Sequence, residues 1–335
     1  VESAAPSSPS PSSHWRRGIS LGVARALETK RARHPHRAPG REDRLIAQAT
    51  PTVAEALRGQ FDQFTRAERQ LADTLLAHYP VAGLSSITAL AENAQVSTPT
   101  VVRLVKKLGF GGYPQFQARL REELAATISS PVAKHERWAE GAPEAHILNR
   151  FAEAAIDNLH RTLSRFDTQA FDAVAALLAD TDRQVAIVGG RITRALADYL
   201  FTHMQVIRDG LSLVPSTTST WPHYLLGMRP GDVLVVFDIR RYETELIRFV
   251  EMARAREATI VLFTDQWGSP AAKHADHVFP CRIEVPSAWD SSMVMLFVVE
   301  SLIAAVQTQR WETTRDRFNE LEGLFDEARL FKKFT

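Results

Sequence analysis

The stretch Val96-Ser97-Thr98-Pro99-Thr100-Val101-Val102-Arg103-Leu104-Val105-Lys106-Lys107-Leu108-Gly109-Phe110 decides how this chain is read. Val101, Leu104, Val105 and Leu108 recur at i, i+3, i+4 and i+7, the spacing that buries one face of a helix. Arg103 and Lys106 point the opposite way, so the outer face is basic. Ser97 stands where an N-cap is expected, Pro99 falls in the first turn and Gly109 follows the last apolar residue. These signals predict a helix over residues 98–108.

Working outward, Gln95-Val96 forms a short turn, and Ser86 caps a preceding helix over 87–93 with Ile87, Leu90 and Ala91 on one face. Before it, Thr65 followed three residues later by Glu68 is a capping box for a helix over 66–78, which Tyr79-Pro80 ends. A further helix over 114–126 follows, and then Ser129-Ser130-Pro131 and Gly141-Ala142-Pro143 bracket a linker. Short polar groups at Ser97, Thr98 and Thr100 with Arg103 suit base edges and phosphates at a helix N-terminus, and Lys106 and Lys107 suit phosphates. Periodicity alone fits a plain helical bundle with a solvated charged face equally well.

The exact strings go further. Ser86-Ile87-Thr88-Ala89-Leu90-Ala91, then Val96 to Phe110, then Gly112-Tyr113 and Phe116 closely resemble the helix-turn-helix domain of RpiR-type bacterial regulators, over residues 61–126. The resemblance implies paired DNA-binding domains on a pseudo-palindromic operator. It also implies a C-terminal sugar isomerase (SIS) domain.

The second half has the grammar of such a domain. Apolar runs at 185–188, 233–237 and 260–263 read as buried parallel strands, with shorter strands at 211–214 and 277–279, and amphipathic helices at 195–207 and 245–256 separate them. Ligands of such a sheet sit at the carboxyl ends of its strands. SIS domains place G-x-G-x-S after the first strand and S-x-S-G-x-T after a later one; here the first site reads Gly189-Gly190-Arg191-Ile192-Thr193. The second reads Asp238-Ile239-Arg240-Arg241-Tyr242-Glu243, which puts Asp238 and Arg240 on the family's serines, Arg241 on its glycine and Glu243 on its threonine. The hydroxyl cradle is lost. The arginines suit a phosphate or carboxylate, provided Asp238 pairs with one of them, and equally suit a structural ion-pair cluster or a subunit contact. Thr264, Asp265 and Ser269 fall at the expected rim of the same crevice, though each also suits a turn or cap.

Composition narrows the classes. The 335 residues carry 40 Lys and Arg against 39 Asp and Glu, so the net charge of +1 leaves any polyanion argument to local clusters. The lone Cys281 cannot form an internal disulfide and reads as a small buried apolar residue. The apolar helix beginning near Met293 is too short to span a membrane and reads as core or dimer interface, with Glu300 a weak candidate for a general base. His274 and His277 make an incomplete metal set. There is no P-loop, nucleophile elbow or His-Glu-x-x-His pattern. Residues 1–50, rich in Ser, Pro and Arg, read as a disordered tail rather than an export signal, because Arg25 cuts the apolar run after Arg16-Arg17.

The expected protein is therefore mainly α plus α/β: a helix-turn-helix domain over 51–127, a linker over 128–146, and a SIS-like sensing and oligomerisation domain with a C-terminal helix over 147–335. It is expected to be a cytoplasmic, non-enzymatic transcriptional regulator without cofactor or metal. Its expected partners are a double-stranded DNA operator and a small polar or anionic effector, such as a sugar phosphate or carboxylate, with assembly as a homodimer or homotetramer. The candidate effector residues are Gly189, Gly190, Arg191, Thr193, Asp238, Arg240, Arg241, Thr264, Asp265 and Ser269. Rival readings are a SIS-type isomerase and a DNA-binding oligomer without ligand.

Overall fold

A computed structural model describes residues 51–140 and 146–331. The expected tail over 1–50 lies outside the described residues. The helical part begins with α1 (Val53–Gly59), then α2 (Arg66–Ala77), α3 (Ile87–Asn93), α4 (Thr98–Lys107) and α5 (Tyr113–Ile128). The Thr65–Glu68 capping box at α2 and the Ser86 cap at α3 form as expected. Leu71, Leu75, Leu90, Val101, Leu104, Phe116 and Leu120 close one apolar core.

Both turns flanking α4 end their helices in the same way. After α3, the N–H of Val96 donates to the Ala91 carbonyl and that of Gln95 to Glu92, both at 2.9 Å. After α4, the N–H of Phe110 donates to Val105 at 3.2 Å and that of Gly109 to Lys106 at 3.0 Å. This paired pattern needs a left-handed residue after the cap. Gln95 (φ 52°) and Gly109 (φ 89°) supply it.

The expected linker is largely helical: α6 spans Pro131–Glu140. Pro131 reads as a breaker in the sequence, but proline is tolerated in the first turn of a helix, where its missing N–H has no partner to lose. Then come α7 (Ile147–Leu163) and α8 (Thr168–Ala179).

From Val185 the chain alternates β1 (Val185–Gly189), α9 (Arg194–Ile207), β2 (Leu211–Leu213), α10 (Trp221–Leu226), β3 (Val233–Asp238), α11 (Thr244–Arg254), β4 (Thr259–Asp265) and β5 (His277–Cys281), and ends with α12 (Met293–Gln309) and α13 (Trp311–Ala328). All five strands run parallel in the order β2-β1-β3-β4-β5. Side chains alternate across the sheet. Ile187, Val235, Phe237 and Phe263 therefore pack with α8, α9 and α12, while Val188, Val236 and Leu262 pack with α10 and α11. Two buried faces explain why the strands are apolar throughout. Phe237, Phe263 and Phe279 form a ladder across β3, β4 and β5, with ring centroids 4.7 and 5.1 Å apart. Cys281 is fully buried, as expected, and burial pushes its thiol up to about 12. Among the described residues, no single helix is long and apolar enough to cross a membrane.

The helical part packs on the sheet domain through polar contacts. Arg282 reaches both carboxylate oxygens of Glu55, with its Nε donating at 2.9 Å. Thr52 Oγ1 donates to the Gln266 carbonyl at 3.4 Å.

Candidate functional sites: the α4 face and the switch-point cleft

Ser97, Pro99, Val102, Arg103 and Lys106 are exposed along α4 and its cap, and Thr98 is half-buried beside them. Thr100 departs from expectation. It is buried, because it sits four residues before Leu104 on the apolar side, and its hydroxyl bonds to Ser97 Oγ at 2.9 Å and receives Arg103 Nη2 at 3.1 Å. Ser97 accordingly makes no side-chain cap to the helix backbone. Lys107 also differs: its ammonium lies 2.6 Å from Glu68, whose side chain is 2% exposed. Burial pushes that carboxyl up, but Lys107 and Thr65 outweigh it and hold it below the ordinary range. Lys107 thus closes the α2–α4 core. Sequence reading missed Val102, an exposed apolar residue off the buried stripe, of the kind that meets a thymine methyl.

In a parallel sheet of this order, β1 and β3 are neighbours whose following connections leave to opposite faces, and the crevice at their carboxyl ends is the natural ligand position. A cleft of about 630 Å³ lies there. Gly190, Arg191, Ile192 and Thr193 wall it after β1, and Asp238 to Arg241, Glu243 and Glu245 after β3. Ala288, Trp289 and Asp290 line a third side, and Ser129, Pro131 and Lys134, from the end of α5 and from α6, line the fourth.

Of the sequence candidates, Gly190, Arg191, Thr193, Asp238, Arg240 and Arg241 line this cleft together. Thr264, Asp265, Ser269 and Gly189 do not. Asp265 is fully buried and accepts N–H groups from Arg240 at 2.6 Å, Trp267 at 3.0 Å and Gly268 at 3.1 Å, with the Tyr242 hydroxyl at 3.0 Å. Burial still holds its carboxyl above the ordinary value. Thr264 Oγ1 accepts the Ser269 N–H at 2.9 Å. These residues tie the β3 and β4 loops together. Gly189 sits where an added Cβ would lie 2.7 Å from the Thr193 backbone, so its role is close packing.

Asp238 pairs with neither arginine. It accepts the Ser269 hydroxyl, and burial, reinforced by Asp265, raises its carboxyl to about 7. Arg240 follows the structural alternative: its side chain is 2% exposed, lies 4.3 Å above the Trp267 ring and donates to the Ala126 carbonyl of α5 at 2.8 Å. It also lies 3.3 Å from Glu284 and 3.2 Å from Asp290. Asp290 in turn holds Lys134 at 2.5 Å. Arg191 and Arg241 remain exposed on the rim with no ion-pair partner among the described residues, and Arg241 holds a left-handed φ of 67° at the position of the family's glycine. Lys134, Asp290 and Glu243 are cleft residues that sequence reading did not select. Glu300 lies outside the cleft, accepting the Tyr199 hydroxyl at 2.8 Å on the exposed side of α12. His274 faces Glu251 at 3.3 Å.

A basic helix-turn-helix joined to an α/β domain with a switch-point cleft is the architecture of a DNA-binding transcriptional regulator. The helix-turn-helix domain of the rpiR family matches residues 52–127, and the SIS domain matches residues 177–305. The transcriptional regulator HexR of Pseudomonas aeruginosa is 27% identical over 77% of this chain and 90% of its own length, and HexR of Escherichia coli is 24% identical over 84% and 96%. The solved structure of Vibrio vulnificus NanR complexed with ManNAc-6P has 20% identity and a TM-score of 0.49, covering 84% of this chain and 99% of that one. The chain belongs to the RpiR-type transcriptional regulators.

Proposed function

We propose that this regulator grips operator half-sites with paired α4 helices and that a small effector in the switch-point cleft controls that grip. Arg103 and Val102 read base edges, while Lys106 and the exposed Ser97 meet phosphates. Arg191 and Arg241 on the rim take an acidic group of the effector through planar guanidinium contacts. The sheet domains supply the dimer or tetramer that spaces the half-sites, and Ile156 and Leu163, exposed on α7, suit such an interface.

The observation that carries the reading is the shared wall of the cleft. Lys134 and Ser129 come from the end of the DNA-binding unit and its linker, yet they face the same space as Arg191 and Arg241. An effector that binds the two arrangements of that wall with different affinity must shift DNA binding, and a coupling of about 1–3 kcal/mol gives roughly 5- to 150-fold. Selection of binding sites from genomic DNA by the purified protein, repeated with Arg103→Ala, tests the DNA half. Enriched pseudo-palindromes lost in the variant support it, and weak sequence-independent binding alone overturns it. Operator affinity measured across a metabolite panel tests the effector half.

One observation favours a second reading. Asp238, with its carboxyl raised to about 7, lines the cleft as a general base would. Its Ser269 hydrogen bond and its 2% exposure turn it toward the loop instead. Turnover of any sugar phosphate by the full chain, lost in Asp238→Asn, would establish an isomerase; the expected result is none.

A further inference from the structure

We propose that Glu243 is a built-in anion that occupies the backbone cradle of the β1–α9 loop and closes it to phosphate, so that it sets the specificity of the cleft. The inference rests on the reading of the cleft as an effector site and deepens it.

Glu243 is the residue before α11, the position at which a side chain usually caps its own helix, but it makes no such bond. Its carboxylate crosses instead to the loop after β1 and accepts the Arg191 N–H at 2.6 Å. The approach is close: a Cβ at Gly190 would lie 2.9 Å from Glu243 Oε1, so a larger residue there would push the carboxylate back from the loop. Two of the loop's other donors are engaged. The Gly190 N–H donates to the Phe237 carbonyl at 3.1 Å, and the Thr193 hydroxyl donates to the same carbonyl at 2.6 Å. A glycine-bearing loop that opens a helix of 14 residues favours an anion through its N–H groups and the helix dipole. Here the chain supplies that anion itself.

The consequence is chemical selection. A phosphate seated on this loop would meet a carboxylate already holding its donor, and two anions in one site repel. Threonine, which stands here in the pattern the chain resembles, is shorter and uncharged and would leave the Arg191 N–H to a ligand. In this protein the effector's acidic group goes to the unpaired Arg191 and Arg241 guanidiniums on the rim. Toward Glu243 it presents donors, hydroxyl or ammonium. Hydroxy or amino carboxylates fit that division, and phosphate esters anchored in the loop do not.

Isothermal titration of the full chain with inorganic phosphate and with glucose 6-phosphate tests the assignment in the wild type, Glu243→Thr and Glu243→Gln. The expected result is about tenfold or more tighter phosphate binding in Glu243→Thr, because a charge-assisted donor is released and a like charge removed. Glu243→Gln keeps the side chain's shape, carries the test should the threonine variant fail to fold, and should gain less. Adding Gly190→Ala to Glu243→Thr should abolish the gain and so place it on the loop. Phosphate binding by the wild type as tight as by Glu243→Thr overturns the proposal, and so does absence of gain in both variants. Inorganic phosphate also meets the rim arginines Arg191 and Arg241, so the loop's share is the gain that Gly190→Ala removes, and either failure leaves the effector reading to the metabolite panel on the wild type.

Discussion

Gln95 and Gly109 close successive helices with the same hydrogen-bond pattern and the same left-handed backbone, yet only one of them is glycine. Nothing lies within 4 Å of a Cβ built at Gly109, so Gly109→Ala meets no steric obstacle and costs only the backbone term, about 1–2 kcal/mol. Gln95→Gly relieves the same strain but frees the unfolded chain, and a net stabilisation of about 0.5 kcal/mol is expected. Chemical denaturation of the two variants should move the midpoint in opposite directions. Arg103→Ala should leave the midpoint in place, since the side chain is exposed, and weaken specific operator binding by about 1–3 kcal/mol in a fluorescence titration. These residues were legible because their partners are near in sequence. Thr100 was misread although its burial was visible in its spacing from Leu104, a local signal outweighed by its polarity. The Lys107 ion pair could not be read for a different reason: its partner Glu68 lies 39 residues away, and periodicity carries no such information.

Among the elements, the seam between α1 and α5 holds a buried titrating carboxyl. Glu123 of α5 is 3% exposed and accepts the Val53 N–H of α1 at 3.0 Å, with Arg119 Nε 2.9 Å away. Burial raises its carboxyl to about 8, with Glu55 and Glu284 adding to the effect and the Val53 N–H and Arg282 opposing it. Oε2 has no hydrogen-bond partner, which suits the protonated form. In the unfolded chain the same group titrates near the ordinary 4.5. Between those values the folded state keeps a proton that the unfolded state has released, so stability falls as pH rises from about 4.5 to about 8 and levels above. From pH 6 to pH 8 the loss from this one group is roughly 2 kcal/mol. Asp238, raised to about 7, acts in the same direction, so Glu123→Gln should flatten the profile only in part and raise stability most at pH 8. Thermal melts of both proteins across pH 5–9 decide it; parallel profiles would place the titration elsewhere. The elements themselves were largely legible, since each strand is a short apolar run and each predicted helix has a cap or a stripe. The helices over Val53–Gly59, Ile147–Leu163, Thr168–Ala179 and Trp221–Leu226 carry no signal that the sequence reading assigns, and at α6 Pro131 reads as the end of structure rather than the start of a helix.

At the scale of the whole molecule, the helical unit meets the switch-point cleft through a small cluster of buried charge. Asp290 holds Lys134 at 2.5 Å and Arg240 at 3.2 Å, and Arg240 reaches the last turns of α5 through the Ala126 carbonyl. None of this could be read from sequence, because these groups lie up to 156 residues apart and each is an ordinary loop or surface residue by type. Lys134 is almost completely buried, and burial lowers its ammonium while Asp290 holds it up. Removing one charge from such a cluster leaves the others uncompensated, at a cost of about 3–5 kcal/mol for a fully buried pair. Asp290→Asn should therefore release α6 from the cleft wall. Lys134→Met should do the same without stranding a cation, because methionine fills the space and Asp290 keeps Arg240. If the effector signal passes through this cluster, both variants should still bind operator, while the change in operator affinity on adding effector shrinks from the roughly 5- to 150-fold of a working coupling toward unity. Fluorescence anisotropy with and without the effector reads that ratio, and direct titration of the effector shows whether its own binding persists. A full response in both variants would mean that the signal reaches the DNA-binding helices by the other seam, through Glu55 and Arg282, and the same measurement on Arg282→Met would then locate it.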